Sequence, residues 1–415
     1  MPSFRSARVA LPDGIRPATV RYEEGVIASI GEGSADDDLG DLVVLPGLVD
    51  SHVHVNEPGR SDWEGFASAT KASAAGGTTT IVDMPLNSVP PTVSVEALAL
   101  KRQAATGQTN VDVAFWGGII PGSEGEIEGL VGEGVCGFKV FLTDSGVPEY
   151  PAMTLDELVP LRLEVPLLVH AEADHLIRLP SGGSYLDYVE SRPHEAEVEA
   201  IQSLVELDFP VHVLHVSSAQ GAEAVAAAGL SGETCPHYLV FSHTDVTGPE
   251  FKCAPPIRSD LHREALWEAL LSDALQMVVS DHSPAPPDLK SGDFATAWGG
   301  IASVQLRLQV TWTGAAERRI GLERLPGWLA LAPAVLAGLD DRKGSIALGK
   351  DADFVVFDPD GEYVVSGADL HHRHSLTPYD GLRLRGQIVE TRLRGELIFN
   401  GDNVGVGHGR MLTRK

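Results

Sequence analysis

The chain has 415 residues, a formal net charge of −27 and a hydrophobic fraction of 43%. A surface this acidic is repelled by nucleic acids and anionic membranes, so neither is expected as a partner. The three cysteines are not clustered, and no apolar run approaches the roughly 18 residues of a membrane span, so we expect a cytoplasmic globular protein.

Both ends of the chain contain short runs in which apolar and polar residues alternate. These runs predict hairpin-like strands in residues 1–45 and 344–400, which we expect to pair into one small β-sandwich built from both termini. The Gly-rich residues 401–415 are predicted to form a flexible tail.

Residues 46–343 contain eight strand-like apolar runs separated by stretches of helical length. This alternation predicts an α/β fold, a (β/α)8 TIM barrel. The expected strand cores are residues 48–54, 78–84, 111–117, 137–142, 166–171, 211–216, 233–238 and 276–281.

Several of these runs finish in a residue that can bind a metal ion. His52 and His54 are two residues apart, so in a strand both imidazoles point to one face. His170, His215 and Asp281 end later runs, and a parallel barrel gathers the ends of its strands at one face. Imidazole and carboxylate ligands suit zinc and its first-row neighbours, whereas a single histidine in such a position is more often structural.

Lys139 lies in the apolar run Gly-Phe-Lys-Val-Phe, which otherwise predicts a buried strand. An unpaired ammonium in such a place costs several kcal/mol, so this lysine must be modified, paired or neutralised.

Three nearby residues have competing interpretations. Asp281 precedes Ser-Pro, so by itself it would be interpreted as a turn or helix-capping residue. His212 lies three residues before His215 and faces the other side of a strand, which assigns it to packing. His237 lies near the end of a predicted strand. Two roles are weighed equally for it: lining the pocket or supporting a ligand, and a purely structural role.

Several segments along the chain match those of a known family, and they are Pro46–His54, Glu57–Gly65, Ala75–Thr80, Met84–Asn87, Ser280–Pro284, Ala297–Ala302 and Gly344–Phe354. Through these segments the chain resembles the cyclic amidohydrolases, the dihydroorotase and hydantoinase family, and most closely its allantoinase branch. The resemblance implies two divalent metal ions per subunit. Zinc is the first expectation, and iron, cobalt and manganese are the alternatives. It assigns His52, His54 and Asp281 to one ion and His170 and His215 to the other. Lys139, carboxylated on its amine, would bridge the two ions, and the chain would form a homo-oligomer, either a tetramer or a dimer.

The implied reaction is hydrolysis of a cyclic amide by a hydroxide between the metals, with Asp281 transferring the proton. Asn56 and Ala285 stand at positions where dihydroorotases carry cationic residues. Hydantoinases have a tyrosine a few residues after the bridging lysine, whereas the first tyrosine after Lys139 in this chain is Tyr150. These differences favour the neutral substrate allantoin, with Asn87 and Ser283 as substrate contacts, although both also suit turns beside prolines.

Other functions remain open at this stage. A hydantoinase or dihydropyrimidinase and a dihydroorotase-like enzyme are the alternatives within the family. A binding protein without activity would be expected to lack ligands that this chain has. A metal-dependent deaminase would not need the bridging Lys139.

Overall fold

The structure is a computed structural model that describes residues 1–405 and 408–415. The chain begins with five strands, whose bounds are β1 (Ser3–Leu11), β2 (Gly14–Glu23), β3 (Val26–Gly31), β4 (Asp37–Asp38) and β5 (Val43–Pro46). β1, β2 and β3 are joined by tight hairpins and pair antiparallel, as the alternating sequence predicts.

The next nine strands form the barrel, and all of them pair in parallel. Their bounds are β6 (Leu48–Val53), β7 (Thr78–Asp83), β8 (Asp112–Phe115), β9 (Gly117–Gly118), β10 (Phe138–Phe141), β11 (Leu167–His170), β12 (Val211–Val213), β13 (Ser231–Thr234) and β14 (Met277–Val278). β8 and β9 are separated only by Trp116 and together occupy the third strand position of the barrel. A parallel bridge between Val53 and His282 closes the barrel between its first and last strands.

Helices lie between the barrel strands, as the alternation of strand and helix predicts. Their bounds are α1 (Phe66–Ala75), α2 (Val95–Ala105), α3 (Ile127–Gly132), α4 (Leu155–Leu158), α5 (Tyr185–Ser191), α6 (His194–Ser203), α7 (Ala219–Ala228), α8 (Pro236–Val240), α9 (Asp260–Leu271), α10 (Arg307–Glu317) and α11 (Ala332–Ala337). Among the described residues, no helix is long and apolar enough to cross a membrane.

The seventh predicted barrel strand has different bounds in the structure. Residues 233–238 were expected to form a single strand, but the strand is Ser231–Thr234 and α8 begins at Pro236. Proline has no N–H for a strand ladder and is well suited to the first turn of a helix. The run is therefore divided at Cys235, the residue that precedes the helix.

The last three strands are β15 (Phe354–Val364), β16 (Arg383–Leu393) and β17 (Glu396–Phe399). They join the first five in one eight-stranded sheet of order β17-β16-β15-β5-β1-β2-β3, with β4 beside β1. The molecule is thus a TIM barrel with a small β-sandwich domain to which both termini contribute.

Gly47 joins the sheet to the barrel, since it stands between β5 and β6. A side chain at this position would meet the Thr79 hydroxyl at 2.3 Å and the Asp353 Cβ at 2.6 Å. Only glycine allows the two domains to approach this closely, and the Gly47 N–H donates to the Asp353 carbonyl at 2.8 Å.

Of the predicted flexible tail 401–415, residues 406 and 407 lie outside the described residues. The described end of the tail runs beside β8, where the Leu412 N–H donates to the Val113 carbonyl at 2.8 Å and the Leu412 side chain is buried. The Arg414 guanidinium donates to the Cys136 carbonyl at 3.1 Å. These contacts place described residues of the segment 408–415 against the barrel, and the flexibility of the tail stays a prediction.

Candidate metal centre

The six residues predicted as ligands come together at the carboxyl ends of the barrel strands. Five strands and the segments that follow them contribute the set His52, His54, Lys139, His170, His215 and Asp281. This is the face at which a TIM barrel forms its active site.

Three of them form a compact group around Asp281. Its Oδ1 lies 3.1 Å from His52 Nε2 and 3.8 Å from His54 Nε2. Ligand atoms of the three residues all lie within 4.8 Å of one another, which is a separation that one metal ion can span.

His170 and His215 form a second pair beside the first. His170 Nδ1 lies 3.0 Å from His215 Nε2, and the rings of His52 and His215 are 5.5 Å apart between centroids. His215 Nδ1 is buried and has no hydrogen-bond partner among the described residues. A buried ring nitrogen without a partner is costly, so this imidazole is suited to bind a further group.

Lys139 lies in the same cavity wall as His170 and His215 and is 1% exposed. Its Nζ lies 3.4 Å from His52 Nε2 and 5.0 Å from the centre of the Phe141 ring. Burial lowers the pKa of Lys139 to about 8, although the charges of Asp281 and Glu233 oppose the shift. The neutral amine is therefore more abundant near neutral pH than it is for an ordinary lysine, although the ammonium is still the major form.

The backbone is strained where the chain leaves the strands. His215 has φ +38° and Asp281 has φ +44°, in a left-handed region that residues with a side chain seldom adopt. Asn56 and Asn87, in loops after the first two barrel strands, share this conformation with φ +67° and +62°. Such strain is concentrated at functional sites, where it directs side chains that a regular strand would turn away.

Glu233 is a buried carboxylate behind His52 that sequence reasoning missed. Its Oε1 lies 2.5 Å from His52 Nδ1 and its Oε2 lies 3.2 Å from His212 Nε2. A proton held on His52 Nδ1 by this carboxylate leaves Nε2 free to bind a metal, a common arrangement behind metal ligands. The assignment of His212 to packing was therefore wrong, because His212 is hydrogen-bonded to Glu233 and to Ser231.

A second buried carboxylate supports His170. Glu172 accepts a hydrogen bond from His170 Nε2 at 2.7 Å and forms an ion pair with Arg192. Burial alone would raise the pKa of Glu172, but the charge of Arg192 and the bond from His170 hold it well below its usual range. Glu172 therefore stays ionised and orients the His170 ring.

His237 is buried beside Asp281, and neither of its ring nitrogens has a hydrogen-bond partner among the described residues. Its ligand atom and those of Cys235 and Asp281 lie within 4.8 Å of one another. Burial lowers the pKa of His237 to about 3, so its imidazole is neutral. His237 is not among the residues of the cavity wall.

A cavity of about 540 Å3 opens onto the group. Its wall includes Asn87 and Ser283, the two predicted substrate contacts, along with every predicted ligand except the fully buried His52. Tyr150 is not in this wall, because its hydroxyl donates to the Lys139 carbonyl at 2.8 Å behind the strand. The cavity has the size of a small-molecule site.

The donor set fits divalent metal ions. Burial lowers the pKa values of His52, His54 and His215 well below the usual range, so the imidazoles are neutral as metal ligands must be. Imidazoles combined with a carboxylate match zinc and its first-row neighbours.

The sequence pattern of the Amidohydrolase family matches residues 43–398, which include the whole barrel. The chain belongs to the amidohydrolase family. The match confirms the family that the motifs predict.

Curated relatives within the amidohydrolase family resemble this chain over nearly its whole length. An allantoinase of Streptomyces avermitilis is 45% identical, over 99% of this chain and 98% of the relative. An allantoinase of Arabidopsis thaliana is 40% identical, over 95% of this chain and 87% of the relative. The allantoinase of Saccharomyces cerevisiae is 38% identical, over 97% of this chain and 96% of the relative.

Solved structures of amidohydrolases share the fold. The L-hydantoinase (dihydropyrimidinase) of Arthrobacter aurescens superposes with a TM-score of 0.95 at 30% identity, and 100% of each chain is covered. A dihydropyrimidinase of Brevibacillus agri gives a TM-score of 0.90 at 28% identity, over 100% of this chain and 98% of the other. The predicted barrel with a β-sandwich is thereby confirmed.

Proposed function

We propose that the protein is an allantoinase, a hydrolase that opens the cyclic amide of allantoin to give allantoate. The observation that carries the proposal is Lys139, a buried amine 3.4 Å from His52 Nε2 that shares one cavity wall with His54, Asp281, His170 and His215. Full-length similarity to curated allantoinases supports the substrate.

In this proposal the site holds two divalent metal ions, for which zinc is our first choice. His52, His54 and Asp281 would hold one ion, and His170 and His215 the other. Two such ions supply the acidity that generates hydroxide from water at neutral pH and the positive charge that stabilises a tetrahedral oxyanion.

Lys139 would bridge the ions as a carbamate. The neutral amine attacks carbon dioxide, a nitrogen–carbon bond forms, and one proton leaves the nitrogen. The amine becomes an anion with two oxygens, which removes the cost of a buried ammonium. The pKa of Lys139, which burial lowers to about 8, favours this reaction because only the neutral amine is nucleophilic.

Asp281 would carry the proton. Burial raises the pKa of Asp281 to about 7, so its carboxylate can accept a proton from the attacking water and return it to the ring nitrogen that leaves. The position of Asp281 in the cavity wall and beside His52 and His54 supports this role.

Two positions in the sequence support a neutral substrate ring over an anionic one. Asn56 and Ala285 stand where dihydroorotases carry cationic residues, so a dihydroorotate carboxylate lacks those two charge-assisted bonds. We propose Asn87 and Ser283, which line the cavity, as hydrogen-bonding contacts for the neutral ring.

The test is a ring-opening assay with allantoin, hydantoin and dihydroorotate on the metal-loaded enzyme. We expect kcat/KM for allantoin to exceed that for dihydroorotate by about a hundredfold or more, the size of one or two lost charged hydrogen bonds. Equal or reversed efficiencies would reject the assignment.

A hydantoinase is the second candidate, because the solved structure with a TM-score of 0.95 is an L-hydantoinase. Tyr150 argues against it, since its hydroxyl is bound behind β10 and does not reach the cavity. Preference for simple 5-substituted hydantoins over allantoin would establish this candidate instead.

We further propose that the domain boundaries lie at residues 45/46 and 343/344. At the first the chain passes from the sheet into the barrel, and at the second it returns to the sheet. A cytoplasmic location agrees with three free, buried cysteines. We propose a homo-oligomer, a tetramer or a dimer, which size-exclusion chromatography with light scattering would measure.

A further inference from the structure

Lys252 lies in the wall of the same cavity and is not explained by the metal centre. Its Nζ donates to the Ala297 carbonyl at 2.6 Å and lies 4.9 Å from the centre of the Tyr188 ring. An ammonium has three N–H donors, and among the described residues Ala297 provides the one hydrogen-bond acceptor for this group. Two donors are left for a ligand in the cavity.

The backbone at Lys252 is held in place by its neighbours. The Lys252 carbonyl accepts the Gly300 N–H at 2.8 Å and the Lys290 Nζ at 3.2 Å. The Tyr188 hydroxyl, whose ring lies beneath the ammonium, donates to the Cys253 carbonyl at 2.8 Å. The side chain therefore starts from a fixed position, as a binding residue requires.

The charge of Lys252 lacks the kind of partner that its neighbour has. Arg192 is paired with Glu172, whereas Lys252 has no ion pair among the described residues. Burial first, and then repulsion by Arg192, lowers the pKa of Lys252 to about 8.

We propose that Lys252 forms a subsite that binds the carbonyl oxygen of the group attached to the substrate ring. In allantoin this group is the ureido substituent. The inference rests on the proposed function and extends it, because it names the residue that distinguishes allantoin from a hydantoin without that substituent. A neutral carbonyl is already the kind of acceptor that this ammonium binds at Ala297.

The test compares Lys252→Met with the wild-type enzyme on allantoin and on unsubstituted hydantoin. Methionine keeps the apolar stem but removes the donors. We expect kcat/KM for allantoin to fall about tenfold to a hundredfold, the range of a hydrogen bond to a charged group, and hydantoin to change less than about threefold. Where hydantoin turnover is too slow, its inhibition constant against allantoin replaces kcat/KM.

Lys71→Met is the matched control, because Lys71 is an exposed lysine outside the cavity wall. A bond specific to Lys252 predicts a much smaller loss on allantoin in this control. Equal losses on both substrates in Lys252→Met, equal losses in both variants, or unchanged allantoin kinetics would each overturn the subsite. A wild-type enzyme that opens hydantoin but not allantoin would instead reject the proposed function itself.

Discussion

Asp281 is the residue whose proposed chemistry can be separated from metal binding. An amide has nearly the same shape as its carboxylate and can still bind a metal weakly, but it cannot accept the proton. Asp281→Asn should therefore keep much of its metal and lose about 10²–10⁴ in kcat, the usual contribution of general acid–base catalysis. Metal analysis and steady-state kinetics on the same preparation measure the two effects.

Lys139→Ala is the control for the Asp281 experiment. Because this variant removes the proposed bridging ligand, it should lose both its bound metal and its activity. If Asp281→Asn retained its metal and more than about a tenth of wild-type kcat, the proton would have another carrier. His237, buried beside Asp281 with both ring nitrogens unpartnered among the described residues, would then be the next residue to substitute.

The residues of the site differ in how visible they are in the sequence. His52, His54 and Asp281 follow apolar strands, and a barrel brings such strand ends together, so their convergence could be predicted. Glu233 carries the same signal as Lys139, since it is a charged residue in a buried strand, and this signal could have identified it from the sequence. Its partners His52 and His212 come from other strands, and no spacing along the chain reveals such pairs.

The strands show the same limit one level higher. All eight predicted barrel runs overlap strands of the structure, because apolar runs between helical stretches are a strong signal. Their ends are less predictable, and β12 is only Val211–Val213 although residues 211–216 were expected. His215 turns with positive φ directly after β12, and such strain arises from tertiary contacts that local sequence does not encode.

Arg307 on α10 ties together the two strands that close the barrel. Its fully buried guanidinium donates to the Val49 carbonyl of β6 at 2.9 Å and the Val278 carbonyl of β14 at 3.1 Å. Arg307→Met would leave these carbonyls and the nearby Asp50 without the cation, which should lower the free energy of unfolding by about 3–5 kcal/mol. Urea denaturation followed by circular dichroism measures the loss.

Arg319, exposed just after α10, gives the matched control for Arg307. Arg319→Met should change the free energy of unfolding by less than about 0.5 kcal/mol. Similar small changes in both variants would show that α10 does not hold the barrel seam through its arginine.

The two domains are connected at the end of the barrel opposite the metal centre. Lys343 Nζ is buried among three carboxylates, 2.6 Å from Asp112 of β8, 2.8 Å from Asp351 and 2.7 Å from Asp353. Arg394, between β16 and β17, also pairs with Asp112. Sequence order could not predict this contact, because Asp112 and Lys343 are 231 residues apart.

Lys343→Met should therefore destabilise the joined molecule without disturbing the site. Removing one partner of a buried charge group leaves its carboxylates uncompensated, so the loss should be about 3–5 kcal/mol at neutral pH.

Lys343 and Arg394 lower the pKa of Asp112 against the effect of burial, so this stabilisation is present above the ordinary carboxyl pKa and is lost as pH falls through the folded value. The difference in free energy of unfolding between wild type and variant should accordingly shrink below about pH 4. Exposed Lys71→Met is the control, and a Lys343→Met penalty that stayed constant from pH 7 to strongly acid conditions, or matched that control, would show that the carboxylates do not depend on this lysine.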